Sequence, residues 1–238
     1  MSNLKSSNSF KIKFTEDQLE QIELGEKANI DTSKYADPEF CSGQMKQIRL
    51  GLEKKLPVDI YASTHYDLAQ MTYIRMGLEQ HLDVSKYANP KYNFDKMRLI
   101  YTALRDGVDL DDYKDLGFNY FQLEQIYLGL KDNIDVTKYA KLEFDEWQMD
   151  FIRYGLQENL DVSVYANPKF NFRQMEQIYL GLYCGMNVSA YADPRYDAKQ
   201  MAEILDGLYN GLDVTSYSDP SISAEQMHKI RQKLLLIK

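Results

Sequence analysis

Asp83, Asp109, Asp135, Asp161 and Asp213 return at one position of a repeated pattern, and a row of carboxylates raises the question of calcium first. The alternating oxygen ligands and long loop of a calcium motif are missing around them. Hydrogen bonding inside a turn is the expected role. His65, His81 and His228 belong to no repeated position and have no neighbour at metal-ligand spacing, so they read as surface histidines rather than zinc ligands. Cys41 and Cys184 fall at different repeat positions without CxxC spacing, as free thiols of a reducing compartment do, which points to the cytoplasm. There is no glycine-rich phosphate loop and no nucleophile with a convincing base. The expectation is a protein that is not an enzyme and needs no metal or cofactor.

Aromatic residues carry a richer signal. Tyr35, Tyr61, Tyr87, Tyr113, Tyr139, Tyr165, Tyr191 and Tyr217 recur at a single position, and each is expected to pack its ring beneath a helix, since aromatic rings supply large buried area at fixed places. A second set breaks the pattern. Where Gln is the usual residue (Gln21, Gln47, Gln125, Gln177), the central copies carry Tyr73, Leu99 and Phe151; four residues earlier, a mostly small or polar position holds Phe121 and Trp147. The two positions are i and i+4 on a helix, on the side roughly opposite its apolar stripe. Tyr154 adds to that side, at a position that is usually Leu. Large apolar side chains on a solvated face serve no folding purpose unless something covers them. Tyr73, Leu99, Phe121, Trp147, Phe151 and Tyr154 are therefore the candidate protein-binding residues.

The elements that hold these residues follow from the period. Leu19, Met45, Met71, Met97, Leu123, Met149, Met175, Met201 and Met227 are spaced by 26 residues without a slip, the mark of stacked supersecondary units. Each copy opens with a large apolar residue and a cap (Thr15, Cys41, Asp67, Asn93, Asn119, Asp145, Asn171, Asp197, Ser223), all good caps except Cys41. Gln three residues on completes a capping box in most copies. Met175, Ile178 and Leu182 trace one apolar stripe. Gly181 and its counterparts weaken that helix, and close approach of a neighbouring backbone is the expected reason. Gly185, matched by Asn29, Gly107, Asn133, Asn159 and Gly211, ends the helix in a left-handed residue. Ser189 is placed to cap a short turn carrying Tyr191, and Pro194 stops that turn.

The predicted fold is all-α: an elongated α-solenoid of eight helix-plus-turn repeats over 14–221, with a partial ninth repeat over 222–238 as a capping helix and a flexible tail over 1–13. Nine helices of about 13 residues, each about 20 Å long, would stack about 10 Å apart. No linker interrupts the period, so one continuous domain is expected. Pro gives way to Thr64, Leu116 and Leu142 in the centre, where the bend between repeats is expected to change.

A formal charge of −8 and the absence of a long apolar run argue against a nucleic-acid sleeve and against a membrane span. Arg49, Arg75, Arg153 and Arg231 share a position, but it alternates with tyrosines and a Glu. Laid out as QMxxIxxGLxxxLDVSxYAxPxF, the repeat resembles tandem repeats in proteins of bacterial mobile genetic elements. The resemblance covers nearly the whole chain and implies no reaction and no functional residue. It implies a phage- or plasmid-encoded protein that blocks host defence, as an anti-CRISPR inhibitor does. The expected function is a non-enzymatic binder that presents a central aromatic surface to a protein partner, as adaptor or inhibitor; a nucleic-acid-binding helical array is the alternative. The sequence leaves the oligomeric state open.

Overall fold

The computed structural model describes residues 14–237; the tail expected over 1–13 lies outside them. The described residues are all-helical, with nine α-helices: α1 (Glu16–Lys27), α2 (Ser42–Glu53), α3 (Leu68–Glu79), α4 (Phe94–Arg105), α5 (Tyr120–Lys131), α6 (Glu146–Gln157), α7 (Phe172–Tyr183), α8 (Ala198–Tyr209) and α9 (Ala224–Ile237). None is long and apolar enough to cross a membrane.

Each helix starts where a side chain satisfies its first free amides. Asp67 Oδ1 accepts from the Gln70 amide at 2.8 Å while Gln70 Oε1 accepts from the Asp67 amide at 2.8 Å, and such a cap is worth about 1 kcal/mol. Cys41, the poor cap, takes the same geometry, with its Sγ accepting from the Gln44 amide at 3.4 Å. In α4 the box is half made, because Lys96 stands where the other copies have Gln and has no acceptor to return.

Each of α1 to α8 stops on a left-handed residue, and the set is wider than expected. Lys55 and His81 join Asn29, Gly107, Asn133, Asn159, Gly185 and Gly211 at positive φ. His81 thus does occupy a repeated position, the helix stop. After α1 to α3 and α5 to α8 the amide of the following residue bonds back, as Ile30 N does to the Gly25 carbonyl at 2.9 Å. In α9 the stop position is Ile237, a β-branched residue that resists positive φ, and the helix runs 14 residues instead of 12.

The short turn that follows is capped two residues earlier than expected. Asn187 Oδ1 accepts from the Ser189 amide at 3.1 Å, so Ser189 donates and the Asn/Asp position is the cap. Asp31, Asp83, Asp109, Asp135, Asp161 and Asp213 do the same. At Asp31, Asp135 and Asp213 the hydrogen bond from the Ser or Thr side chain lowers the carboxyl pKa. That is the turn role expected of the recurring aspartates.

Beneath the turn, seven of the eight repeated tyrosines are completely buried. Tyr61 Oη donates to the Gln47 carbonyl at 3.1 Å and Tyr165 Oη to the Phe151 carbonyl at 2.9 Å, in the helix just before. This contact explains the helix glycines. A Cβ at Gly155 would collide with the Tyr165 hydroxyl and stand 2.8 Å from Val162 Cγ1. The expected close approach is therefore made by a tyrosine hydroxyl, not by a neighbouring backbone.

The chain divides after Gly107 into two compact units, at a place where the unbroken period predicts no boundary. In the first, α1 to α4 pack in sequence; in the second, α5 to α9 do. The repeat that straddles the division departs from the others at several positions: Lys96 for Gln, Ala103 for Gly and Leu110 for Val. Tyr113 there is only half-buried.

Candidate protein interface

Two devices clamp neighbouring repeats at several joints, and they decide which aromatic residues remain outside. The capping-box glutamine reaches forward: Gln148 Nε2 donates to the Phe170 carbonyl at 2.5 Å, and Gln18 Nε2 to the Phe40 carbonyl at 2.6 Å. The second device joins residues 28 apart. Arg49 Nε donates to Gln21 Oε1 at 3.2 Å, Arg75 to Gln47 at 2.8 Å, Arg153 to Gln125 at 3.0 Å, and Arg231 to Glu203 Oε2 at 2.8 Å.

Tyr73 and Phe151 belong to this second device. Where the Gln is replaced by Tyr73, the partner 28 residues on is Tyr101 rather than Arg, and the rings meet edge-on at 5.1 Å. Phe151 meets Tyr179 at the equivalent joint, with ring centroids 6.1 Å apart and the planes tilted by 52°. An aromatic pair thus substitutes for a polar one at the same position, edge-on in the case of Tyr73 with Tyr101, a geometry that rings prefer. Leu99 is 4% exposed. The expectation that Tyr73, Leu99 and Phe151 stand on a solvated face is therefore corrected: Tyr73 and Phe151 are packing between repeats, and Leu99 is interior. The signal was in the sequence as paired change, since Tyr73 with Tyr101 and Phe151 with Tyr179 vary together.

Phe121 and Trp147 are placed differently. Each is the second residue of its helix, fixed by the caps Asn119 and Asp145, and each is exposed, by 56% and 57%. The ring of Phe172, at the start of α7, lies 6.0 Å from that of Trp147. Two turns along α6 from Trp147, on the same side, Tyr154 is 41% exposed under the Arg153 guanidinium, 4.6 Å from its ring centroid. Arg153 is itself held by Gln125 and by Asp150 at 2.5 Å. The second unit therefore carries a strip of Phe121, Trp147, Phe172 and Tyr154 on three consecutive helices. Tyr183 and Tyr209, near the helix ends, are also exposed and were missed because nothing in their repeat position sets them apart before the neighbouring helix is known.

The strip offers ring faces, a chemistry of recognition, while the Arg153 guanidinium beneath it is buried and engaged by Gln125 and Asp150. An open groove of about 590 Å³ elsewhere in this unit is lined by Lys138, Lys141, Leu156, Leu160 and Asp161, and Asp161 there is engaged as a turn cap. Comparison of the chain with family models, with curated proteins and with solved structures finds no match.

Proposed function

We propose that this chain is a non-enzymatic protein-binding repeat protein, and that Phe121, Trp147, Phe172 and Tyr154 are where a protein partner docks. The observation that carries the reading is the exposure of Phe121 and Trp147 at one repeat position where the other copies have Asp17, Gly43, Ala69, Asp95, Arg173, Lys199 and Glu225. Those copies fold without an aromatic ring there, so folding does not require one. Binding energy at protein interfaces concentrates in Trp, Tyr and Arg, and two exposed residues of this kind, Trp147 and Tyr154, stand on one side of α6. The net charge of −8 opposes a phosphate backbone as the partner. If the repeats are those of mobile genetic elements, an inhibitor of a host defence protein is one such binder.

The test is capture of host proteins on the immobilised chain, beside retention of the chain on immobilised nucleic acid at physiological salt. Phe121→Ala with Trp147→Ala is expected to weaken capture at least about tenfold, or about 1.4 kcal/mol, with the melting temperature nearly unchanged. Phe151→Ala is expected to do the reverse, unfolding earlier with binding retained. Capture that survives the first pair, or retention on nucleic acid, overturns the reading.

A further inference from the structure

The two ends of the array expose complementary halves of the joint that links its repeats. At the front, Leu19 is 45% exposed, whereas Met45, Met71, Met97, Met149, Met175, Met201 and Met227 at the same position are fully buried. Ile22 is likewise half-exposed where Ile48, Ile74, Ile152, Ile178 and Ile204 are sealed. Among the described residues, nothing packs ahead of α1. At the back, Ile222, Gln226, Lys229 and Ile230 line an open groove of about 370 Å³ on α9 and the segment leading into it.

Both clamping devices reach the back end unfinished. Gln226 is the capping-box glutamine of α9, and its Oε1 serves Ser223 as in the other boxes. In the other repeats that have this glutamine, its Nε2 crosses to a carbonyl 22 residues on, as Gln200 does to Ile222 at 2.7 Å. Among the described residues, Gln226 Nε2 has no such acceptor, and the residue is exposed where Gln174 and Gln200 are buried. The second device joins the position of Gln21 in one repeat to that of Arg49 in the next. At the back end its first half is Lys229; at the front end its second half is Glu23. A lysine therefore waits at the one position where the repeat geometry would bring a glutamate. Both residues make only exposed ion pairs in their own helices, Lys229 with Glu225 at 2.6 Å and Glu23 with Lys27 at 3.7 Å, and such pairs exchange at little cost.

We infer that the occupant of the α9 face is a second copy of this chain, its α1 seated as the next helix of the array. Leu19 and Ile22 would close on Ile222 and Ile230, the Gln226 amide would reach the Phe14 carbonyl, and Lys229 would meet Glu23. The joint uses two different surfaces, so a pair leaves one of each unused, and growth continues past the dimer until a ring closes. One repeat-sized contact is small beside the usual stable interface, so assembly is expected to depend on concentration. The sequence led to the expectation that α9 caps the array; the proposal gives its outer face a docking role.

Sedimentation velocity of the full chain over a wide concentration range tests this. The unaltered chain is expected to grow beyond a dimer as concentration rises. Lys229→Glu alone, and Glu23→Lys alone, place like charges at the joint and are each expected to keep the chain monomeric at concentrations where the unaltered chain assembles, without lowering the melting temperature. Mixing the two variants pairs Lys229 with Glu23 at one joint and the reversed pair at the next, so assembly is expected to return. A chain that stays monomeric throughout, a dimer that stops growing, or assembly indifferent to both charge changes overturns the proposal. Phe121→Ala with Trp147→Ala leaves both ends untouched, so failure of the aromatic strip as a docking site would not disturb this result.

Discussion

Gly155 and Ala103 occupy the same position of the repeat, and the segments that follow them differ. After Gly155 the chain turns under its helix and buries Tyr165 completely; after Ala103 it enters a segment in which Tyr113 is half-buried, and the compact unit ends at Gly107. In every repeat with the glycine, a Cβ would overlap the tyrosine hydroxyl, and the buried Ala103 carries such a Cβ. Helix glycine is thus kept for a tyrosine ten residues on, at a cost of about 1 kcal/mol to the helix itself.

The largest expected effect is of alkaline pH, because it acts on all the buried tyrosines together. Burial raises the hydroxyl pKa of Tyr61, Tyr87, Tyr139, Tyr165 and Tyr191, and pushes that of Tyr217 up to about 12. Unfolded tyrosine ionises near 10. Above that pH the unfolded chain holds fewer protons than the folded one, so stability is whole below about pH 10 and falls as pH rises toward the folded values, by up to about 1.4 kcal/mol per buried tyrosine per pH unit. Denaturant unfolding at a series of pH values should show a flat neutral region and a steep alkaline decline. A decline no steeper than one ionising group allows would mean that the tyrosines are not sealed.

Next in size is Gly155→Ala. The added methyl must displace the Tyr165 hydroxyl and press on Val162, and overpacking together with loss of a buried hydrogen bond is expected to cost about 3 kcal/mol. Adding Tyr165→Phe removes the colliding oxygen, so the double variant should be more stable than Gly155→Ala alone. If Gly155→Ala instead stabilises the chain, as helix propensity by itself predicts, the pairing of glycine with hydroxyl is wrong.

The smallest effect separates the two kinds of repeat directly. Tyr139 Oη donates to the Gln125 carbonyl at 3.0 Å from a fully buried ring, and Tyr139→Phe is expected to lower the unfolding free energy by about 1 kcal/mol. Tyr113→Phe, at the half-buried copy, should stay within about 0.5 kcal/mol of the unaltered chain. Equal losses would place Tyr113 with the others.

The sequence by itself determined everything that a residue settles with its near neighbours along the chain. Caps, stops and the aspartate turns depend on side chains within a few residues of the backbone groups they satisfy, so a column of Asn, Asp or Ser announced most helix starts and a column of Gly or Asn most helix ends. The 26-residue period and the core stripe were legible for the same reason. Tertiary structure decided which of two aromatic positions faces outward, and the sequence held only a trace of it in the paired change of Phe151 with Tyr179. Phe151 and Trp147 lie four residues apart, about 40° around one helix, and both looked solvated from the helix alone. Where the neighbouring helix lies is set by how side-chain ridges fit between repeats. That fit covers Phe151 with Tyr179, while Trp147, one turn away, remains 57% exposed.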